Sequence, residues 1–146
     1  LEQDMTALEI GPDDNGSRCV RLGLVREYVK RDDDARPVVL LLGCDTAVLG
    51  EDTQTFVARF RDEGAAVVIG TVSPVLGENA APVAVELVRT LSEMVDAAHR
   101  DGRVATLGET MLRVRRSLVA GGHLTALCLT AVGDADWQLA PSGREG

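Results

Sequence analysis

The chain has 146 residues, of which 45% are hydrophobic and 26% charged, and its net charge at pH 7 is −8. This composition is ordinary for one globular domain, and the acidic balance argues against non-specific nucleic-acid binding, which needs a basic surface. The three cysteines (Cys19, Cys44 and Cys128) form no CxxC pair, and neither histidine has the spacing of a zinc knuckle. We therefore expect no metal or other cofactor and a reducing, cytoplasmic location, with no signal peptide or membrane span.

The N-terminal part carries the weakest pattern. Residues 1–19 include the turn-rich sequence Gly-Pro-Asp-Asp-Asn-Gly at positions 11–16 and are expected to be a loop or linker with little regular structure. Residues 20–30 place apolar side chains at helical spacing, which predicts a short amphipathic helix that ends before Pro37. Because the sequence begins with Leu1 rather than Met, we expect a processed product or one part of a longer protein.

Two short and largely apolar runs, residues 38–42 and 65–71, are typical of strands that are buried on both faces. The helix between them is expected to be capped by Asp52 or Thr53 and to end at Gly64. Its buried face is expected to consist of Phe56, Val57 and Phe60.

Two further helices follow. The first is predicted over residues 82–100, with Pro82 in its first turn, and its apolar stripe consists of Val83, Leu87, Val88, Leu91, Met94, Val95 and Ala98. At the start of the second helix, Thr106 and Glu109 match a capping box. This helix is expected to end at Gly121-Gly122 and to bury Leu107, Met111, Val114 and Leu118.

Residues 124–132 predict the last strand, which begins after His123, holds Cys128 in the core and leads to Trp137 packed over the end of the sheet. Strands that alternate with helices predict an α/β fold with a mostly parallel sheet and helices on both faces. Three strands make a narrow sheet with exposed edges. We therefore expect the sheet to continue into polypeptide outside this chain.

The turn after the first of these strands, Gly43-Cys44-Asp45-Thr46, is the most informative segment. The carboxyl edge of a parallel sheet is where α/β folds place their chemistry. A cysteine in such a loop has both a rigid support and exposure, as a nucleophile needs. Position alone leaves a second interpretation open, because cysteine also packs as a small buried hydrophobe.

Three segments in this order carry a family resemblance: Gly43-Cys44-Asp45-Thr46, then Gly70-Thr71-Val72-Ser73-Pro74-Val75, and finally Gly133-Asp134-Ala135-Asp136-Trp137-Gln138-Leu139. With the elements between them, residues 36–140 resemble the C-terminal part of a CHAT domain, a family of caspase-like cysteine peptidases related to separase. The resemblance implies a caspase-like three-layer sandwich. Residues 20–140 would form its C-terminal portion, residues 1–19 a linker and residues 141–146 a flexible tail.

The resemblance also implies a role for each matching residue. Cys44 takes the position of the nucleophile, and the backbone of Gly43 and Cys44 helps to bind the oxyanion. The strand ends beside it border the substrate pocket, so the expected substrate-binding residues are Asp45, Thr71, Ser73 and Pro74. For Asp45 an Asx-turn or a helix cap stays open, and for Pro74 an ordinary loop position.

The family's catalytic histidine lies in a His-Gly pair at the end of the strand before the cysteine strand, and no histidine precedes Cys44 here. We expect this residue on a His-bearing N-terminal portion of the same domain, outside this chain. His99 and His123 are poor candidates for the base. The other expected partners are a protein substrate and a sensor or repeat module, without nucleic acid or membrane, in bacterial defence or programmed cell death.

The leading prediction is therefore a cysteine endopeptidase. A CHAT-like fold that has lost its histidine is the alternative, and it would serve as an inert scaffold or interaction module. A flavodoxin-like binding domain ranks last, because the glycine-rich positions lack the spacing or the basic residue of a phosphate loop.

Overall fold

The computed structural model describes residues 7–9, 19–21, 25–29, 36–43, 55–75 and 77–138. These residues form five strands, four α-helices and a 3₁₀ helix. In chain order they are β1 (Ala7–Glu9), β2 (Cys19–Arg21), α1 (Val25–Tyr28), β3 (Val38–Leu41), α2 (Phe56–Asp62), β4 (Val67–Thr71), α3 (Gly77–Asp101), α4 (Leu107–Ala120), the 3₁₀ helix (Leu124–Cys128) and β5 (Leu129–Gly133).

The main sheet has the order β3-β4-β5, with β4 in the centre. Strands β3 and β4 are parallel, in a register that runs from Val38 opposite Val67 to Leu41 opposite Gly70. Strand β5 is antiparallel to β4 and places Leu129 opposite Thr71. The sheet is therefore mixed, and the prediction of a mostly parallel sheet is wrong for β5.

The direction of β5 follows from the two helices that precede it. Arg113 of α4 pairs with Glu93 of α3 at 3.1 Å, and Ser117, later in α4, lies close enough to Glu86, earlier in α3, to lower the pKa of that carboxyl. The two helices are therefore antiparallel, so the chain returns to the edge of the sheet that it left after β4. A strand that starts at this edge must run antiparallel to β4, whereas one crossover helix would have produced a parallel strand.

The predicted last strand is also shorter than expected. Residues 124–128 form the 3₁₀ helix, and β5 begins at Leu129. His123 therefore precedes a 3₁₀ helix and not a strand. Cys128, predicted in the core, is a free and only partly buried cysteine at the end of this 3₁₀ helix.

Two hydrophobic clusters cover the two faces of β4, whose five residues are all buried. Val67 and Ile69 belong to a cluster with α3 and α4, whereas Val68 belongs to a second cluster with α1 and α2. This division follows from the alternation of side chains along a strand. The fold is thus α/β, with helices on both faces of a three-stranded sheet.

Helix α2 is capped by Thr55, whose hydroxyl accepts a hydrogen bond of 3.2 Å from the Ala58 amide. The prediction that Asp52 or Thr53 caps this helix is wrong, because α2 begins at Phe56, directly after Thr55. The predicted buried face of Phe56, Val57 and Phe60 is confirmed. The chain then turns at Gly64, whose φ of 105° is in the left-handed region that glycine adopts without strain.

Helix α3 begins five residues earlier than predicted, so Pro82 lies in its second turn and not in its first. The proline removes one helical hydrogen bond, to the carbonyl of residue 78 in the first turn. The buried stripe runs through Val83, Leu87, Thr90, Met94 and Ala98. Val88, predicted within it, is 51% exposed, because its position is about 100° around the helix from Leu87.

The N-terminus of α4 is fully capped. Thr106 and Glu109 form the predicted capping box, and the predicted buried face of α4 is confirmed. The amides of Leu107 and Gly108 donate to the carbonyls of Trp137 at 2.8 Å and Ala135 at 3.0 Å. The segment after β5 therefore satisfies helix amides that would otherwise lack partners. Trp137 packs against the α3–α4 cluster.

The N-terminal part departs from prediction. Strands β1 and β2 form a separate antiparallel pair, with Ala7 opposite Arg21 and Glu9 opposite Cys19. The prediction that residues 1–19 lack regular structure is wrong at these residues. The helix predicted over residues 20–30 is reduced to α1, because its first residues belong to β2.

Packing on α3 supplies a direct stability test. Val83 is 1% exposed and Val85 is 68% exposed on the same helix. We expect Val83→Ala to lower the free energy of unfolding by about 2 kcal/mol, because it removes two buried methyl groups and leaves a cavity. Val85→Ala should change it by less than about 0.5 kcal/mol. Urea denaturation measures both, and equal losses would contradict the assigned face.

The ion pairs on α3 predict a pH dependence. Hydrogen bonds from Arg89 and then Ser117 lower the pKa of Glu86 from 4.5 to about 2. A carboxylate whose pKa is lower in the folded state stabilises the fold above pH 4.5, and this contribution is lost between pH 4.5 and about 2.

Chemical denaturation of Glu86→Gln should therefore show a stability deficit relative to the wild type at pH 6 that closes towards pH 2. Asp96→Asn removes an exposed carboxylate on the same helix that has no ion pair among the described residues. It serves as the control and should leave the profile unchanged. A deficit in Glu86→Gln that stays constant with pH would show that this carboxylate is not stabilised by its partners.

Candidate active site

The candidate site lies at the carboxyl edge of the parallel pair β3 and β4. Because the two strands are parallel, the chain leaves both at this edge. Gly43 lies two residues past Leu41, the last residue of β3, and Thr71 is the last residue of β4. The structure thus brings together two of the positions that the sequence assigned to catalysis and substrate binding.

A hydrogen bond joins these two positions. The Thr71 hydroxyl donates to the Gly43 carbonyl, and Thr71 is 1% exposed. A buried hydroxyl therefore fixes the peptide unit that leads into Cys44. Cys44 and Asp45, the predicted nucleophile and its neighbour, lie outside the described residues, so their roles stay predictions.

Ser73 and Pro74 lie at the same edge, just past β4. The Val72 amide donates to the Cys128 carbonyl at 2.9 Å, which extends the β4–β5 ladder by one residue. Val75 is 7% exposed and anchors the far end of this short segment. Ser73 is partly buried and Pro74 is exposed between these two anchors. The segment has the accessibility that substrate binding needs, on a backbone held at both ends.

An apolar rim borders this edge, and sequence reasoning missed it. Val72, Leu124 and Leu127 are 49%, 65% and 67% exposed. Leu124 and Leu127 lie three residues apart in the 3₁₀ helix, so they share one side of it. The sequence contains a pattern that argues against a strand at residues 124–128. The two leucines are three residues apart and follow directly after Gly121-Gly122 and His123.

The two histidines lie at different ends of the α3–α4 pair. His99 is exposed in the last turn of α3, roughly 33 Å along the helix from Gly77, which follows β4 at the site edge. His123 is exposed at the start of the 3₁₀ helix, on the side of the sheet where Cys128 meets Val72. No histidine belongs to the described part of the site, which consists of Gly43, Thr71, Ser73 and Pro74.

Within the described ranges, no three residues among His, Cys, Asp and Glu form a group that could hold a metal ion. In the same ranges, no helix is long and apolar enough to cross a membrane.

Comparison of the chain with protein-family models, with curated proteins and with solved structures finds no significant match. The CHAT resemblance therefore remains a prediction from three short segments. The third of these segments also has a structural role. Residues 134–137 form a turn, and carbonyls in it accept hydrogen bonds from the first amides of α4. This turn lies at the end of the sheet opposite to Gly43 and Thr71.

The bond between Thr71 and Gly43 can be tested by an isosteric substitution. Thr71→Val keeps the shape of the side chain but withdraws the hydroxyl from the Gly43 carbonyl, so the free energy of unfolding should fall by about 1–2 kcal/mol.

Thr110→Val is the matched control, because Thr110 is also buried and its hydroxyl also donates to a carbonyl, that of Thr106, at 2.8 Å. That carbonyl keeps the Thr110 amide as a donor, so this variant should lose less than about 0.5 kcal/mol. Urea denaturation of both variants distinguishes the two cases, and equal losses would show that the Gly43 contact has no special value.

Proposed function

We propose that this chain is the cysteine-bearing, C-terminal portion of a caspase-like peptidase domain of the CHAT type, with Cys44 as nucleophile. The observation that carries the proposal is the Thr71–Gly43 hydrogen bond at the carboxyl edge of β3 and β4. It fixes the backbone immediately before Cys44 at the edge where α/β folds place their chemistry. The three ordered sequence segments give the chemical class.

The contact has a consequence for the proposed oxyanion site. In the proposed site, the Thr71 hydroxyl holds the Gly43 carbonyl, and the N–H of the same peptide unit is the proposed donor. Polarisation of the same peptide also makes this N–H a better donor. In the proposed reaction it binds the developing oxyanion.

The proposed chemistry is peptide hydrolysis. The histidine takes the thiol proton, and the Cys44 thiolate attacks the carbonyl carbon, whose oxygen becomes the oxyanion. The oxyanion collapses to a thioester as the C–N bond breaks, and the histidine passes the proton to the leaving amine. Water then hydrolyses the thioester. Ser73 and Pro74 contact the substrate backbone in this proposal, and Asp45 faces the residue before the cleaved bond, which is proposed to be basic.

The edge of β3 that faces away from β4, at Val38, Val39 and Leu40, is the proposed docking position for the missing histidine. Among the described residues, no strand pairs with the edge of β3 that faces away from β4. Val38, Val39 and Leu40 are only partly buried, although the run is fully apolar. An apolar edge strand of this kind is normally covered. A strand from the His-bearing portion would pair here and bring its imidazole to the same edge as Cys44.

The alternative is an inert scaffold or interaction module on the same fold. It is favoured by one observation, the absence of any histidine before Cys44 in the 146 residues. In this alternative, Cys44 has a structural role only. The segments that follow β3 and β4 would bind a partner protein without cleaving it.

The test uses the protein assembled with its His-bearing portion. Cys44→Ala should lower the hydrolysis of fluorogenic peptide substrates by at least about 10³-fold, because the covalent step is lost. Cys128→Ala is the matched control and should keep the activity, since the contact of Cys128 with Val72 at the site edge is made by its backbone carbonyl. Retained activity in Cys44→Ala would overturn the peptidase, and an assembled wild type that cleaves no peptide would favour the scaffold.

A further inference from the structure

A groove of about 620 Å³ lies between the C-terminal half of α3 and the facing side of α4, and none of the candidate active-site residues line it. Its apolar surface comes from Met94, Ala97, Ala105 and Leu112, and its basic residues are Arg103, Arg113 and Arg116. The groove is therefore a separate feature of the fold, and its capacity to bind a ligand does not depend on the proposed peptidase activity.

The groove is basic in an acidic protein. The residues that line it include three arginines and one carboxylate, Glu109, whereas the whole chain carries a net charge of −8. Arg103 and Arg116 are exposed and form no ion pair within the described part of the chain. By contrast, Arg89 on the neighbouring surface of α3 binds two glutamates.

The apolar part of the groove offers an anchoring position. Leu112 is 48% exposed in the groove, beside Met94, which is 7% exposed. Methionine adapts its shape to different apolar partners at little cost. Methionine and arginine are both enriched at protein interfaces, and arginine pairs with carboxylates through strong hydrogen bonds.

We propose that this groove binds an acidic peptide segment of a partner protein. One apolar side chain of the segment packs on Leu112 and Met94, and carboxylates on either side of it pair with Arg103 and Arg116. Arg113 already pairs with Glu93 at 3.1 Å, with 60% of its side chain exposed, so it contributes to the basic surface without being the main contact. The apolar anchor gives affinity, and the arginines select acidic partners.

The lining residues favour a peptide over other anionic ligands. A single-stranded nucleic acid would need aromatic side chains for stacking, and the groove has none. A small free anion would stay largely hydrated beside exposed arginines, where ion pairs contribute little. A peptide adds the buried apolar contact that such pairs need.

The experiment measures fluorescence anisotropy with the full chain and a short labelled peptide that has two leucines among glutamates. Two control peptides replace the glutamates by lysines or the leucines by serines, and each should bind at least tenfold more weakly. Arg116→Glu should weaken binding of the acidic peptide at least fivefold, and Leu112→Ser by a similar factor. Arg100→Glu changes an exposed arginine that does not line the groove and should leave the affinity within twofold.

Circular dichroism establishes that each variant is folded, and the side chains substituted in the groove are both exposed. Equal binding of the glutamate and lysine peptides, or equal effects of Arg116→Glu and Arg100→Glu, would overturn the proposal. Anionic vesicles or single-stranded RNA that displace the peptide at lower concentrations than the unlabelled peptide itself would also overturn it, in favour of a different ligand class.

Discussion

Strand β4 pairs with a neighbour on each side and buries all five of its residues between two layers of helices. Its alternating side chains divide the interior into two clusters, and each cluster holds a different pair of helices against the sheet. Apolar area buried on both faces stabilises such a strand by roughly 25 cal/mol per Å². The carboxyl end of β4 is therefore a rigid point, and Thr71, its last residue, holds the backbone of β3 through Gly43.

The sequence predicted those parts of the fold that depend on local pattern. The apolar faces of α2 and α4, the capping box at Thr106 and the position of β4 were all predicted correctly, because periodicity and capping act within a few residues. The direction of β5 was missed, although the order of two consecutive helices before it was known. Two antiparallel helices bring the chain back to the end of the sheet at which β4 ends. The next strand must then run antiparallel to β4, although alternating strands and helices usually form parallel sheets.

The candidate site shows the same division. Two consecutive parallel strands end at the same edge of a sheet, so the sequence predicts that the segments after β3 and β4 lie together. In the structure, Gly43 and Thr71 do lie together at this edge. The hydrogen bond that joins Thr71 to Gly43 depends on register, and register is not encoded in either run alone. The 3₁₀ helix with Leu124 and Leu127 depends on where α4 ends relative to β5. Its conformation is therefore set by tertiary structure and could not be predicted from the local propensities of its residues. The groove beside Leu112 likewise requires two helix faces to be placed side by side.

The antiparallel pairing of β4 with β5 has a consequence for folding kinetics. It joins residues about 60 positions apart in sequence, so the chain must close a large loop before this half of the sheet gains any stability. Helices α3 and α4 occupy most of that loop and contact each other through local pairs such as Arg113 with Glu93. If the α3–α4 pair forms first, the two ends of the pair are already close together, and less loop-closure entropy remains to be lost. Docking of β5 then becomes the late step in folding.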